Sequence, residues 1–227
     1  MAATLSMLGT RSLDTGKAAD AEGYLLRSLA IRERIAPGVE TDDTAMTLSW
    51  LGAACLQMGR LTEAEDHLRK GLAIRERIAP EHYYVSNSLR RLAEVLSLEG
   101  KHEEAESAAR RSLEIRQKAL QPEHEWSTQA VDTLAEVLNR AGKRDEAERF
   151  LRENLDLRRR VHGDKHSEIA LSCHLLAAHL SSMGRKHEAL PLYEEALSIR
   201  EALFSSDGVD TIATKKALDS LRADPSV

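Results

Sequence analysis

Apolar residues recur along the chain with the spacing of one face of an α-helix, and this helical pattern returns at a fixed interval. A leucine lies eight residues before and thirteen residues after each of five glycines, and an alanine lies five residues after each one. These glycines, which are 43, 41, 42 and 42 residues apart, are Gly16, Gly59, Gly100, Gly142 and Gly184. A repeat of this length is typical of a solenoid whose unit is a pair of helices.

Each repeat predicts a first helix, a turn at the glycine and a second helix, because glycine readily adopts the left-handed conformation that ends a helix. Proline or glycine then separates successive repeats. The predicted helix pairs are 2–15 and 18–35, 43–58 and 62–79, 86–98 and 103–120, 127–141 and 144–161, and 167–183 and 186–204. The small residue after each first-helix leucine, together with the alanine after the turn, predicts a close crossing of the two helices.

The repeats themselves are predicted at about 2–42, 43–84, 85–126, 127–168 and 169–209. An amphipathic segment at 210–222 predicts a capping helix whose polar outer face ends the stack. We expect residues 1–222 to form a single solenoid domain and residues 223–227 to form a loose tail. The first helix starts without a capping signal, which suggests an array that continues in a longer protein or leans on another element.

Composition and charge exclude several functional classes. The chain has 227 residues, of which 42% are hydrophobic, and its net charge is −5, without the basic excess of a nucleic-acid binder. No apolar run approaches the ~20 residues that span a bilayer, and no signal peptide is recognisable. Cys55 and Cys173 lie three repeats apart, so a disulfide is implausible and a reducing compartment is favoured. We therefore expect a cytoplasmic protein that binds neither nucleic acid nor membranes.

The repeated residues resemble the tetratricopeptide repeat: Leu-Gly or Leu-Ala in the first helix, glycine at the turn and alanine five residues later. That repeat usually has about 34 residues. The longer unit found here, with Leu-x-Ile-Arg in the second helix and connectors such as Pro80-Glu81-His82, is similar to the kinesin-light-chain subtype. The first repeat, with Ser12 and Ser28 at usually apolar or small sites, is the poorest match.

The resemblance implies an all-α, right-handed superhelix of helix-turn-helix repeats whose first helices line a concave groove that binds peptides or helices of partners. It does not imply the cargo role of kinesin light chains. The family often carries asparagine at a first-helix position that holds Met7, Trp50, Arg91, Thr133 and Leu175 here. A two-carboxylate clamp is therefore not expected, although Arg90 and Arg91 leave one basic spot.

A polar stripe along the first helices, with Trp50 beside it and Arg91 at the basic spot, gives the candidate groove residues. They are Trp50, Asn87, Arg90, Arg91, Glu94, Gln129, Asp132, Glu136, Asn139 and His174. They predict a groove that is apolar near the second repeat and polar and charged in the middle, suited to a peptide with apolar anchors and mixed charges. The alternative interpretation is that these residues are ordinary solvated positions of amphipathic helices.

The histidines allow a metal hypothesis, since His162 and His166 lie four residues apart with Asp164 between them. The matching places of His82, His124 and His166 in three connectors instead favour side chains that cap the following helix. No Cys-x-x-Cys pair, phosphate-binding loop or Gly-x-Ser-x-Gly elbow occurs.

We therefore expect a non-enzymatic protein-interaction scaffold with no cofactor and no metal, whose partner is a protein or peptide. One alternative is a sensor or regulatory segment of a larger multidomain signalling protein. The alternative from another class is a metal-dependent hydrolase that uses the histidine-rich connectors. The sequence leaves the identity of the partner, the oligomeric state and the biological pathway open.

Overall fold

The structure is a computed structural model that describes residues 1–120, 124–163, 165–204 and 208–223. The described residues form α-helices and no strand, and they fall into two compact units, 1–120 and 121–227. Unit 1 contains α1 (Ala2–Asp14), α2 (Ala18–Ile35), α3 (Asp42–Gln57), α4 (Leu61–Ile78), α5 (Tyr83–Leu98) and α6 (His102–Ala119). Unit 2 contains α7 (Glu125–Arg140), α8 (Arg144–His162), α9 (Ser167–Ser182), α10 (Lys186–Leu203) and α11 (Val209–Ala223).

The predicted helices are confirmed, and their bounds agree with the structure to within three residues. The largest difference is at α5, which begins at Tyr83 because the side chain of His82 caps it. The single domain and the exact repeat limits stay predictions. Residues 121–123 and Asp164, which belong to connectors, lie outside the described residues. Residues 224–227, which make up most of the predicted loose tail, lie outside them as well.

The five turn glycines all have positive φ, between 72° and 79°. A residue with a Cβ is disfavoured there, which explains why glycine recurs at this place in every repeat.

Close crossing of the paired helices is also confirmed. A Cβ on Gly9 would lie 2.7 Å from Cγ of Leu25, and a Cβ on Gly52 would lie 2.6 Å from Cγ of Leu68. The alanines that face these glycines, Ala21 and Ala64, are completely buried. Small residues are therefore required where the first helix crosses the second.

A second close contact lies twelve residues after the turn glycine in each of the first four repeats, where the second helix meets a backbone carbonyl of the first. The Ser28 hydroxyl donates to the carbonyl oxygen of Ala2 at 2.8 Å. In the second repeat the position is Gly71, on which a Cβ would lie 2.9 Å from the carbonyl oxygen of Ala45. The hydroxyl of Ser28 therefore has a hydrogen-bond partner within the hairpin, and the polar residue fits this position of the first repeat.

Within each unit the first helices of neighbouring repeats contact one another, α1 with α3 and α3 with α5, and α7 with α9 and α9 with α11. In the described part of each unit, no comparable contact joins α2 to α4, α4 to α6 or α8 to α10. The first helices therefore lie closer together than the second helices do. We call their shared side the inner face of unit 1 (α1, α3, α5) and the inner face of unit 2 (α7, α9, α11).

Among the described helices, none combines the length and the apolar character that a bilayer crossing requires.

Candidate functional site

Two half-buried side chains, Trp50 of α3 and Arg91 of α5, meet on the inner face of unit 1. The guanidinium carbon of Arg91 lies 4.6 Å from the centre of the Trp50 ring. Both residues stand nine positions before a turn glycine, so they occupy the same place in consecutive repeats. A cation over an aromatic ring is stabilised by about 0.5–2 kcal/mol, and this contact holds both side chains at the inner surface.

Arg91 carries its positive charge in a partly desolvated place. Burial, together with the smaller effect of the charge of Arg90, lowers the pKa of Arg91 to about 10, although Glu94 opposes the shift. The guanidinium stays protonated at neutral pH, because this pKa is still well above neutrality. In the described residues of unit 1, no ion pair joins Arg90 or Arg91 to a carboxylate. The candidate set therefore includes a positive charge beside an aromatic ring.

Asn87 is oriented by a buried arginine. Its Oδ1 accepts a hydrogen bond of 2.6 Å from Nη2 of Arg116, whose Nε donates to Oγ of Ser86 at 2.6 Å. Arg116 is completely buried. Burial lowers its pKa to about 10, with a smaller contribution from the charge of Arg90. The amide of Asn87 is thus fixed by the hairpin on which it stands.

An arginine recurs sixteen residues after each turn glycine, three residues after the second-helix leucine, and it is buried in every repeat except the first. Arg75 donates to Oδ1 of Asp42 at 2.9 Å and to Oγ of Ser88, in the next repeat, at 2.8 Å. Arg200 donates to the carbonyl oxygen of Asp210 in α11 at 2.7 Å. These arginines tie one hairpin to the following helix. The sequence analysis used these arginines to recognise the repeat but assigned them no structural role. Their regular position, three residues after a leucine in every repeat, was the signal that could have revealed that role.

Asp132 belongs to this arginine system in unit 2. Its Oδ2 lies 2.7 Å from Nη2 of Arg158, and its Oδ1 accepts a hydrogen bond of 2.6 Å from the Asn154 side chain. Arg158 is 1% exposed and also lies 2.8 Å from Glu168 of α9. Burial raises the pKa of Asp132, and Arg158 opposes that effect. Asp132 therefore helps to join α7, α8 and α9.

An open pocket of about 250 Å³ lies beside Asp132 in unit 2. Two further candidate residues, Glu136 and Asn139, line it, and the rest of its lining is Ala135, Arg140, Leu151, Leu175, Ala178 and His179. Glu136 pairs with Arg140 at 2.9 Å, whereas the Asn139 amide makes no hydrogen bond in the described part of the chain. The pocket combines apolar walls with a free amide, which suits a side chain that has an apolar stem and a polar end.

The last two candidates, His174 and Gln129, stand on first helices of unit 2. Nδ1 of His174 lies 3.1 Å from Oγ1 of Thr214, and its ring packs edge-on against Tyr193. Burial lowers the pKa of His174, and the charge of Arg200 adds to this, so the imidazole is neutral at neutral pH. Gln129 is half-buried, and its backbone carbonyl accepts a hydrogen bond from Thr133.

The connector histidines cap helices, as predicted. Nδ1 of His82, His124 and His166 accepts a hydrogen bond from the backbone amide two residues later, at 3.4, 3.2 and 3.2 Å. The rings of His162 and His166 stack with their centres 4.2 Å apart. One nitrogen of His166 is therefore already used by the backbone, which leaves less scope for the metal hypothesis.

Another group of potential metal ligands, Glu22, Cys55 and Glu63, has its ligand atoms within 4.8 Å of one another. The guanidinium of Arg60 pairs with both carboxylates and lies 3.7 Å from Sγ of Cys55. Burial raises the pKa of Cys55, so its thiol stays protonated. Arg60 supplies the positive charge that these acids require, and the group is explained as an ion-pair cluster.

A second pocket, of about 210 Å³, was not foreseen from the sequence. It lies at the connector after α4, and its lining includes Arg75, Ile78, His82 and Tyr84. The sequence signal for it was an apolar residue at the end of the second helix, Ile78, with two tyrosines just beyond the connector, Tyr83 and Tyr84.

Comparison with known proteins identifies the fold. The family profile named Tetratricopeptide repeat matches residues 1–77, 43–118 and 127–202. No curated protein sequence matches significantly. Among solved structures, the repeats of a protein assigned as a kinesin light chain of Podosopora anserina align with a TM-score of 0.74 and 23% identity, over 87% of this chain and 93% of that one.

Two regulatory proteins have a similar fold. The tetratricopeptide repeat sensor of a signal transduction ATPase from Pyrococcus horikoshii aligns with a TM-score of 0.72 and 19% identity, over 96% of this chain and 31% of that one. The Rap conjugation gene regulator of plasmid pLS20, in complex with the Phr* peptide, aligns with a TM-score of 0.69 and 14% identity, over 96% of this chain and 62% of that one. Similarity at these identities concerns the fold. Because the family profile matches most of its length, the chain belongs to the tetratricopeptide repeat family.

Proposed function

We propose that this chain is a non-enzymatic scaffold that binds a peptide segment of a protein partner on its inner faces. The observation that carries the proposal is the Trp50–Arg91 pair, a half-buried aromatic ring covered by a cation with no ion-pair partner in the described part of unit 1. Tryptophan and arginine are the side chains that most often dominate the energy of protein interfaces. Proteins of this family generally act in protein–protein interactions.

The chemistry of the pair indicates the peptide it would take. Arg90 and Arg91 favour a carboxylate, and the exposed part of the Trp50 ring favours an apolar side chain next to it. The pocket beside Glu136 and Asn139 supports a separate contact in unit 2, for a side chain with an apolar stem and a polar end. The proposed peptide therefore carries an acidic and an apolar residue for unit 1.

The solved complex of the Rap regulator with the Phr* peptide gives a precedent for peptide binding by a protein of similar fold. The peptide proposed for this chain is inferred from its own residues and not from the ligand of that regulator. The test is a peptide-library selection against the purified chain, run in parallel against Arg91→Glu. The matched control is Arg34→Glu, which makes the same charge change at an exposed position of α2.

We expect a motif with an acidic residue to be enriched by the wild type and by the control, and to be lost with Arg91→Glu. Enrichment that Arg91→Glu leaves unchanged would contradict binding at the inner face of unit 1.

A second candidate function is a sensor segment of a larger signalling protein, which the similar repeat sensor from Pyrococcus horikoshii favours. This alternative predicts that the isolated chain associates with itself or with another domain. Sedimentation that shows a stable monomer over a wide concentration range would disfavour it.

The metal-dependent hydrolase gains no support, because the connector histidines cap helices through Nδ1.

A further inference from the structure

In α1, a leucine is exposed on the part of the surface that the preceding second helix covers in the next repeat. Leu8 stands eight residues before its turn glycine and is 42% exposed. The leucines at the same place in other repeats, Leu51, Leu92 and Leu176, are at most 3% exposed. The position is therefore built for burial, and in α1 it is open. We define the α1 face as Thr4, Leu8 and Arg11, three residues whose counterparts in α3 are all buried.

The second repeat shows what covers this position. Leu51 of α3 packs in one cluster with Leu25 and Leu29 of α2. Ala54, the counterpart of Arg11, packs with Ala18 at the start of α2. The cover is thus the second helix of the preceding hairpin, whose first turn lies next to the position that Arg11 occupies in α1.

Hydrogen bonds between repeats show what the last turn of such a covering second helix contacts. Arg75 of α4 donates to Ser88 at 2.8 Å, and Arg158 of α8 donates to Ser172 at 2.6 Å. Both serines stand twelve residues before a turn glycine, where α1 has Thr4. Thr4 is exposed, so α1 presents the acceptor hydroxyl for an arginine that no described residue supplies.

The charge of Arg11 fits the same kind of helix. Second helices in this chain begin with acidic residues and end with arginine, as α4 does with Glu63 in its first turn and Arg75 in its last. A helix whose first turn lies on α1 as that of α2 lies on α3 would bring its acidic residues to Arg11. If its last turn lies as that of α4 does on α5, its arginine would reach Thr4. A helix of this type therefore matches the α1 face in charge, in hydrogen bonding and in the spacing of its apolar residues.

We propose that the α1 face binds an amphipathic helix of a partner protein. This helix carries an acidic first turn, two leucines four residues apart and an arginine three residues after the second leucine. The site extends the repeat-to-repeat interface that already exists inside the chain. It is separate from the Trp50–Arg91 pair, because Leu8 stands on α1, whereas Trp50 stands on α3 and Arg91 on α5.

The probe for the test is a fluorescent peptide with the α4 sequence, residues 61–78. A hydrocarbon staple joins its Asp66 and Lys70 positions, because isolated helices of this length are marginal in water. Both positions are exposed in the chain, so the staple does not occupy the packing side. Fluorescence anisotropy with the full chain measures binding. The variant is Leu8→Arg, and the matched control is Leu26→Arg, at a leucine 47% exposed on α2.

We expect saturable binding that Leu8→Arg weakens about tenfold or more, whereas Leu26→Arg changes it by less than about twofold. A probe with Arg75→Gln is expected to bind about fivefold more weakly. Circular dichroism verifies that each variant is folded, and Arg91→Glu is expected to bind the probe normally, which separates this site from the inner face.

Equal affinity for a scrambled probe, or equal effects of Leu8→Arg and Leu26→Arg, would overturn the proposal. Dimerisation of the wild type that Leu8→Arg abolishes would assign the α1 face to a second copy of the chain and would overturn it as well.

Discussion

Arg158 and Asp132 form a buried ion pair whose closest atoms are 2.7 Å apart. Arg158 stands on α8 and Asp132 on α7, and the same guanidinium reaches Ser172 on α9 at 2.6 Å. One side chain therefore joins three helices of unit 2. A polar group buried in this way stabilises the fold only as long as all of its partners remain.

Replacing Arg158 should destabilise unit 2 strongly. Arg158→Leu leaves the carboxylate of Asp132 buried without its cation, and loss of one partner of a buried pair typically costs about 3–5 kcal/mol. Urea unfolding of the full chain, combined with hydrogen exchange of α7 to α9, measures the loss. The control is Arg160→Leu, at an exposed position of the same helix. A similar free energy of unfolding for the two variants would contradict the role given to Arg158.

Two glycines in second helices should respond to alanine in opposite directions. A Cβ added to Gly23 would meet open space, so Gly23→Ala should stabilise the chain by about 0.5–1 kcal/mol through helix propensity. Gly71 faces a backbone carbonyl, and Gly71→Ala should destabilise by about 1–3 kcal/mol because the helices must separate. Thermal unfolding compares the two variants. A gain of stability with Gly71→Ala would show that the crossing is looser than described.

The capping role of the connector histidines predicts a selective response at His166. His166→Ala removes the acceptor for the Glu168 amide and should cost about 1 kcal/mol, whereas His166→Asn keeps an acceptor and should recover most of it. His187→Ala, on an exposed side chain, is the control. Chemical denaturation gives the free energies, and the cap is disproved if asparagine is no better than alanine.

Stability should fall as the solution becomes mildly acidic. Burial lowers the pKa of both His174 and His179 in the folded chain. Between the ordinary histidine pKa of about 6.5 and the lowered value, the unfolded chain binds protons that the folded chain does not. The free energy of unfolding should therefore decrease below about pH 6.5, by at most about 1.4 kcal/mol per pH unit for each histidine.

Unfolding by urea between pH 7.5 and 5.5 tests this dependence, since few carboxylates titrate in that range. The double variant His174→Gln/His179→Gln should have a smaller pH dependence than the wild type. An unchanged slope would mean that other groups cause the loss.

The helices and the capping histidines could be predicted because they follow local rules. Turn glycines with positive φ, and His166 placed directly before its helix, leave a signature in a short stretch of chain. The hairpin crossing at Gly52 was also predictable, since small residues recur there at a fixed offset.

The roles of the buried arginines could not be predicted in this way. Whether Arg116 or Arg158 is buried depends on acceptors supplied by other helices, such as Asn87 and Asp132, which lie 29 and 26 residues away. The polar stripe identified Asp132 and Asn87 as groove residues, but a stripe does not reveal what a side chain also bonds inside the hairpin. The pocket beside Asn139 likewise depends on how α7, α8 and α9 pack. Binding by these residues stays a prediction.

The most direct test of the central claim is the fluorescence of Trp50 during peptide binding. In a Trp126→Phe background, Trp50 is the only tryptophan of the chain. Titration with the peptide from the library selection should change the emission of Trp50, and the additional Arg91→Glu change should weaken binding about tenfold or more. Binding of that peptide with no change in Trp50 emission, and with equal affinity for Arg91→Glu, would contradict a peptide site on the inner face of unit 1.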